Sequence, residues 1–297
     1  MQFICKKSCK ITYVLTGYHA EGRLVYTMTE NKDFYKVHAD KIWDKRFNSP
    51  FPIRRYAHRA QYRLLLDEVL SGSILDAGCG EGIASIILAE RGIASTGVDL
   101  SEPNIREARE QAENRKLSHL ASFQTADIEA LPFADRSFDT VISSHVLEHI
   151  PDFDKGFKGL CRIASKRVIV ALPTCLNLCA AALLGGDHGF WKLSKRSIIA
   201  LPWGIARIFG NIFSEGVQEG YAGKDDLPHI WRYPWVMRRR LKHPDYKMTK
   251  FCASTFVLPY ANSTLPLVKR MEKYNYTPFL RNFGYGSYIV LDRITDK

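Results

Sequence analysis

The chain has 297 residues, 46% hydrophobic and 25% charged, enough apolar material for one large core or two small ones; an intrinsically disordered or collagen-like chain is excluded. Its seven cysteines, at positions 5, 9, 79, 161, 175, 179 and 252, are odd in number and scattered, which excludes a small disulfide scaffold and predicts a reducing, cytosolic setting. The net charge of +11 is uneven: residues 1–60 hold 12 basic and 5 acidic side chains, residues 61–184 hold 12 and 17, and residues 185–297 hold 18 and 9. An acidic centre between basic flanks suits a cationic ligand in the middle and an anionic substrate beside it, although plain solubility charge gives the same pattern.

In chain order, residues 1–54 read as an N-terminal extension and helical cap. Ile11–Leu15 and Arg23–Met28 flank Gly17 and Gly22 like a small hairpin, and no continuous apolar h-region of a secretory signal opens the chain. From Asn31 to Leu70 the pattern turns helical, ending in Tyr62, Leu65, Leu66, Val69 and Leu70. Residues 55–174 then alternate. Apolar runs at Ser73–Ala77, Ala94–Val98, Ala121–Thr125, Phe138–Ser143 and Arg167–Leu172 predict strands, and Ile83–Arg91, Glu102–Arg115 and His145–Ala164 predict helices. Parallel strands need crossover helices, so this rhythm predicts a doubly wound α/β sheet that binds ligands beyond its carboxyl ends.

Residues 175–250 break the rhythm with an insertion rich in aromatic and basic residues, predicted to be mostly helical and to form a substrate lid. Residues 251–297 resume it with a strand near Ser254–Leu258, a helix over Leu267–Tyr274 and a strand over Tyr285–Leu291, which complete the core sheet as an antiparallel edge. The most apolar stretch, Ile198–Phe213, is interrupted by Pro202, Gly204, Arg207 and Gly210, short of a membrane span; with nearby basic residues it predicts a peripheral contact with an anionic membrane.

Three glycines, Gly78, Gly80 and Gly82, lie between the first strand and its helix, where they permit positive φ and close approach of a ligand to the backbone. A dinucleotide loop is spaced G-x-G-x-x-G; here the spacing is G-x-G-x-G, preceded by Asp76, whose carboxylate repels a pyrophosphate and attracts an ammonium or sulfonium group. Asp99 ends the second strand, where a carboxylate accepts hydrogen bonds from both hydroxyls of a ribose. Asp127 and Ile128 follow the third, placing an acceptor and an aliphatic wall for an adenine.

These residues, Leu75-Asp76-Ala77-Gly78-Cys79-Gly80-Glu81-Gly82, Val98-Asp99-Leu100-Ser101, Ala126–Phe133, Phe138–Ser143 and Val146-Leu147-Glu148-His149, resemble the class I S-adenosylmethionine-dependent methyltransferases, in particular the quinone-biosynthesis and natural-product group. The resemblance covers about residues 55–175. It implies a Rossmann-like seven-stranded sheet with the insertion before the last two strands, and S-adenosyl-L-methionine as cofactor. It also implies that Gly78, Gly80 and Gly82 back the methionine moiety with Asp76 at its amino group, that Asp99 and Leu100 hold the ribose, that Asp127 and Ile128 hold the adenine, and that Ser143 and Ser144 lie beside the sulfonium.

An oxygen acceptor often needs a base, and His145, His149 and His229 are the candidates, with His188 and Tyr233 behind them. His145-x-x-Glu148-His149 raises the question of a metal, but no further ligand is evident, the first position departs from the E-x-x-E-H segment of some quinone-pathway relatives, and no metal is assigned. Cys175 and Cys179 read as helix packing. Aromatics interleaved with cations in the insertion, including Arg238–Arg240, suit a ring or sugar carrying phosphate or carboxylate, or pack a helical lid. The expected activity is methylation, at oxygen, of a small or lipid-linked metabolite. RNA or protein methylation and a non-catalytic cofactor-binding regulator are the alternatives; a nucleic-acid partner is disfavoured because the chain lacks an Asn/Asp-Pro-Pro-Tyr tetrapeptide.

Overall fold

A computed structural model describes residues 28–219 and 229–294. The hairpin expected over residues 11–28 therefore lies outside the described residues apart from Met28, as do Cys5 and Cys9. In chain order the structure runs α1 (Met28–Val37), a π-helical turn (Trp43–Phe47), α2 (Pro52–Leu66), β1 (Ile74–Ala77), α3 (Ile83–Glu90), β2 (Ser95–Asp99), α4 (Glu102–Asn114), β3 (Ala121–Thr125), β4 (Phe138–Ser144), α5 (Phe153–Ile163) and β5 (Ala164–Pro173). The insertion follows as α6 (Leu178–Leu184), α7 (Lys195–Gly210), a small hairpin of β6 (Gly216–Gln218) and β7 (Ile230–Arg232), and α8 (Pro234–Arg240). Then come β8 (Tyr246–Ala253), α9 (Leu265–Met271) and β9 (Gly286–Arg293).

Seven strands form one sheet in the order β3-β2-β1-β4-β5-β9-β8. The first five are parallel, and β9 is antiparallel to both β5 and β8, the antiparallel edge expected from the sequence. The interior strand β1 is buried along its whole length, as a strand covered by helices on both faces must be. Leu75, Val141, Val168 and Val170 face the layer that holds α5, and Ile74, Ile142, Ile169 and Val290 face α2 and α3. Polar caps set the helix starts: Ser101 accepts from the Asn104 amide in α4, and Asp152 from the Lys155 amide in α5.

Two boundaries differ from the sequence expectation. The strand expected at Ser254–Leu258 is β8, eight residues earlier, so the sheet resumes inside the stretch assigned to the insertion. Lys247, Thr249 and Lys250 interrupt its apolar pattern, and a register shift between Met248 and Lys250 breaks the alternation that identifies a strand. The helix expected from His145 begins only at Phe153; residues 145–152 are a loop, and His145 itself has φ +58°. His145, Glu148 and His149 are thus not on one helix face.

Within the insertion, α6 and α7 cross with almost no side-chain spacing. A Cβ on Gly204 would lie 1.7 Å from the Ala181 carbonyl oxygen, and one on Gly185 1.8 Å from that of Ala200. Gly204→Ala is therefore expected to destabilise the protein by roughly 1–3 kcal/mol, the usual cost of forcing a methyl group into a packed contact. Urea unfolding reads this directly, and an unchanged midpoint would contradict the tight crossing. Cys175 and Cys179 are buried in the apolar clusters around these helices, as the packing reading expected.

Candidate active site

The strand order reverses at β1, with β2 on one side and β4 on the other, so the carboxyl ends of β1 and β4 open a cleft. The glycine loop turns there: Gly78, Gly80 and Gly82 all have positive φ. The Gly78 and Cys79 amides donate to the Val98 carbonyl, and the Gly80 amide donates to Asp99 Oδ2 at 2.8 Å. Gly80 is the open position. A Cβ built on it meets only Asp40 and Ile42, at 3.8 Å, so its backbone faces the cavity. Gly82 serves packing instead, because a Cβ there would strike the Phe123 ring at 2.7 Å.

A cavity of about 300 Å³ joins this loop to the insertion. Gly78, Gly80, Asp99, Leu100, Asp127, Ile128, Ser144, His145, His149 and His229 all line it, which brings most of the sequence-predicted site together. Asp76, Gly82 and Ser143 do not. Asp76 is buried beneath the floor, beside the Ser85 hydroxyl, and burial, with Asp99 nearby, pushes its carboxyl up to about 7. Asp99 is likewise pushed up by burial, to about 6, although the Ser101 and Gly80 amides donate to it. Ser143 points to the opposite face of β4 from Ser144, and its buried hydroxyl has no hydrogen-bond partner among the described residues.

The third acid departs from the expected arrangement. Asp127 is held at 2.5 Å by the ammonium of Lys32, which also contacts Glu129 at 2.6 Å. Its other oxygen caps the following 3-10 turn through the Glu129 amide. An adenine amino group would thus share this carboxylate with Lys32. The lysine belongs to the helical cap expected over residues 1–54, none of whose residues the sequence reading placed at the site: α1 and the π-helical turn cross the cofactor end, with the Ile42 and Trp43 amides donating to Glu81 and the Ser101 hydroxyl to the His38 carbonyl. Nothing in the local pattern of residues 28–47 signals this, because the contacts join positions up to 95 apart in the chain.

At the other end, α2, the 145–150 loop and the insertion meet. His58 donates to Gln61, Gln61 to His145 Nε2, and His145 Nδ1 to Glu148, a chain that occupies both ring nitrogens of His145. His145 is therefore placed to orient rather than to take a proton. The His149 and His229 rings stack at 4.4 Å, and burial keeps both imidazoles neutral, with His229 held well below its ordinary pKa. Glu219, which no motif or spacing in the sequence marks, sits 3.4 Å from His229 Nδ1 and accepts from the Trp231 indole at 2.6 Å.

Tyr233 lies elsewhere, buried, with its hydroxyl donating to the Ile208 carbonyl. The basic run is also spent elsewhere: Arg238 stacks on Phe251, and Arg239 and Arg240 pair with Glu215. The cations that do line the cavity include Arg46 and Arg54, with Trp191, Trp231 and Tyr285 as its aromatic wall. Glu148, His149 and His229 also bring one ligand atom each within 4.8 Å, so a divalent ion has candidate donors in which His229 from the insertion takes the place of a residue on the 145–149 segment.

A parallel sheet with this switch point, an open glycine loop and acid-tipped strands defines a nucleoside-binding α/β domain. Residues 75–172, about a third of the chain, match the family described as Methyltransferase domain, and this stretch resembles the class I S-adenosylmethionine-dependent methyltransferases. Among curated proteins it is similar to the Arabidopsis thaliana chloroplastic tocopherol O-methyltransferase, 39% identical over 36% of this chain and 32% of that protein. It is also similar to the Coxiella burnetii ubiquinone biosynthesis O-methyltransferase, 42% identical over 41% of this chain and 53% of that one. The matched stretch thus spans a third to about half of these relatives. Among solved structures, the magnesium protoporphyrin IX methyltransferase of Synechocystis PCC 6803, determined with bound SAH, superposes with a TM-score of 0.55 at 18% identity, covering 90% of this chain and 100% of that chain, a likeness of fold.

The residues present fit S-adenosylmethionine, the cofactor of this class. Gly80 leaves room against its backbone, and two buried carboxyls, Asp76 and Asp99, sit at strand ends where burial disfavours their charge until a cation or hydrogen-bond donors arrive. The sign of the pH dependence follows. Asp99, the one of the two that lines the cavity, must lose its proton to accept fully from ribose hydroxyls, so affinity is expected to rise by up to roughly tenfold per pH unit below about pH 6 and to level off above about pH 7. Because both folded-state values lie above the unfolded ones, the unliganded protein loses stability as pH rises from about 4 towards 7, and the thermal shift produced by the cofactor should be larger at pH 8 than at pH 6. Calorimetry and melting curves over this range check both, and a pH-independent affinity would contradict the assignment.

Proposed function

We propose that the chain is an S-adenosylmethionine-dependent O-methyltransferase acting on a small or lipid-linked metabolite that carries an anionic or hydrogen-bonding group. The observation that carries this reading is one continuous cavity, which runs from the acid-tipped strands to a neutral His149/His229 pair and an aromatic wall with Arg46 and Arg54. When bound, the cofactor supplies an electrophilic methyl group on a sulfonium, so the protein contributes alignment and a proton acceptor. His229 accepts the proton of the acceptor hydroxyl and Glu219 stabilises the imidazolium that results, while Gly80 and Asp99 would hold the cofactor that supplies the methyl group. Arg46 and Arg54 hold an acidic group of the acceptor, and Trp191 and Tyr285 bracket its ring or sugar.

The relatives named above for tocopherol and ubiquinone biosynthesis act, by their names, at oxygen, which supports this choice of atom. No helix among the described residues is long and apolar enough to cross a membrane, so a lipid-linked acceptor would be reached from the membrane surface. The test is transfer of labelled methyl from S-adenosylmethionine into fractionated lipid and aqueous extracts. Label in an alkali-stable ether, or in an ester, supports the proposal. Label confined to RNA or protein, or cofactor binding without any transfer, overturns it.

A further inference from the structure

An ordinary surface helix turns its large apolar residues inward and its polar residues out. Helix α7 does the reverse. Its inward face is Ser197, Ala200, Gly204 and Ile208, small residues for the most part, which allow the close crossing with α6. Its outward face carries Ile198, Ile199, Trp203 and Phe209, which are 73%, 76%, 61% and 65% exposed, and Phe213 just beyond is fully exposed. Among the described residues, none covers this face. The apolar ground continues past Phe209 into a groove of about 380 Å³ between α7 and α9, walled by Ile205 and Ile208 on one side and Leu267 and Met271 on the other.

The charge around the face identifies its partner. Helix α7 carries Lys195, Arg196 and Arg207 and no acidic residue, and Lys195 and Arg196 are exposed at its first turn. A second copy docked on the same face would bring basic residues against basic residues, whereas an anionic surface complements them. A tryptophan among aliphatic side chains with lysine and arginine at the edge is the composition of a helix that lies in a membrane interface. The geometry points to α7 as a docking face for an anionic phospholipid bilayer, with Ile198, Ile199, Trp203, Phe209 and Phe213 inserted among the headgroups and Lys195 and Arg196 on the lipid phosphates. This inference concerns the outer surface and stands apart from the methyl-transfer reading.

Co-sedimentation of the full chain with vesicles tests it. The chain is expected to pellet with vesicles of phosphatidylcholine containing about a quarter phosphatidylglycerol, weakly with phosphatidylcholine alone, and less as salt rises. Ile199→Ser with Trp203→Ser, and separately Lys195→Glu with Arg196→Glu, should each lower partitioning by roughly tenfold or more. All four positions are exposed, so both double variants should keep their far-ultraviolet spectrum and their cofactor affinity. Failure of the unaltered chain to pellet, equal binding to both vesicles, or undiminished binding by the variants would overturn the inference. So would a dimer by light scattering that both variants dissolve, since a second copy would then cover the face. Intact cofactor binding alongside failed pelleting would remove this inference alone.

Discussion

Asp99→Asn is expected to lower the affinity for S-adenosylmethionine by roughly ten- to a hundredfold, the loss of one hydrogen bond to a charged acceptor. The side chain ends β2 inside the cavity, and its two oxygens already take the Gly80 and Ser101 amides, leaving their remaining lone pairs for a ligand. An amide nitrogen in place of either oxygen opposes one of those backbone donors, so the substitution also loosens the glycine loop at Gly80. Asp127→Asn should cost less, because Lys32 and the Glu129 amide occupy that carboxylate before any ligand arrives. Calorimetry on the two variants gives the ranking. Equal affinity of Asp99→Asn and the unaltered chain would remove the ribose assignment.

His229→Gln should reduce turnover by about 10²–10⁴, the usual contribution of a positioned proton acceptor, while cofactor affinity stays within about twofold. Burial is the largest cause of its lowered pKa, with His149 and His145 adding to it, so the neutral imidazole is favoured. Its protonation therefore does not limit the rate near neutrality, and the acid-side loss of cofactor affinity belongs to Asp99. His145→Gln makes the contrasting case: both nitrogens of that ring are engaged by Gln61 and Glu148, so its loss should disturb the loop and the acceptor KM more than the proton transfer. A His229→Gln enzyme with unchanged turnover would sink the assignment of the base.

What the sequence made legible is what local chemistry dictates. Alternating apolar runs and helical periods located five parallel strands to within a few residues, and the positions of Asp76, Asp99 and Asp127 at or just past their ends followed from the same reading. Arg46, Arg54, Lys32 and Glu219 were not legible. Each reaches the site through tertiary packing: Lys32 from α1, Arg54 from α2, Glu219 beside the β6 and β7 hairpin. For Arg238–Arg240 the sequence left ligand binding and lid packing both open, since a run of cations looks alike whether it faces a ligand or Glu215. The loop at residues 145–152 reads as helix in the sequence because its spacing of Val146, Leu147 and Ile150 is compatible with a helical turn, whereas the structure leaves His145 in a left-handed conformation and starts the helix only after Asp152, which caps it.

The place of β9 between β5 and β8 has a consequence for how the protein is made. Strand β8 pairs with the sheet through β9 alone, so the backbone of residues 246–253 has no strand to pair with until residues 286–293 have left the ribosome. During synthesis the nascent chain must carry the apolar edge of β5 unpaired across more than a hundred residues. Chaperone dependence and aggregation during expression should therefore track the completion of this one late segment rather than the stability of the finished molecule.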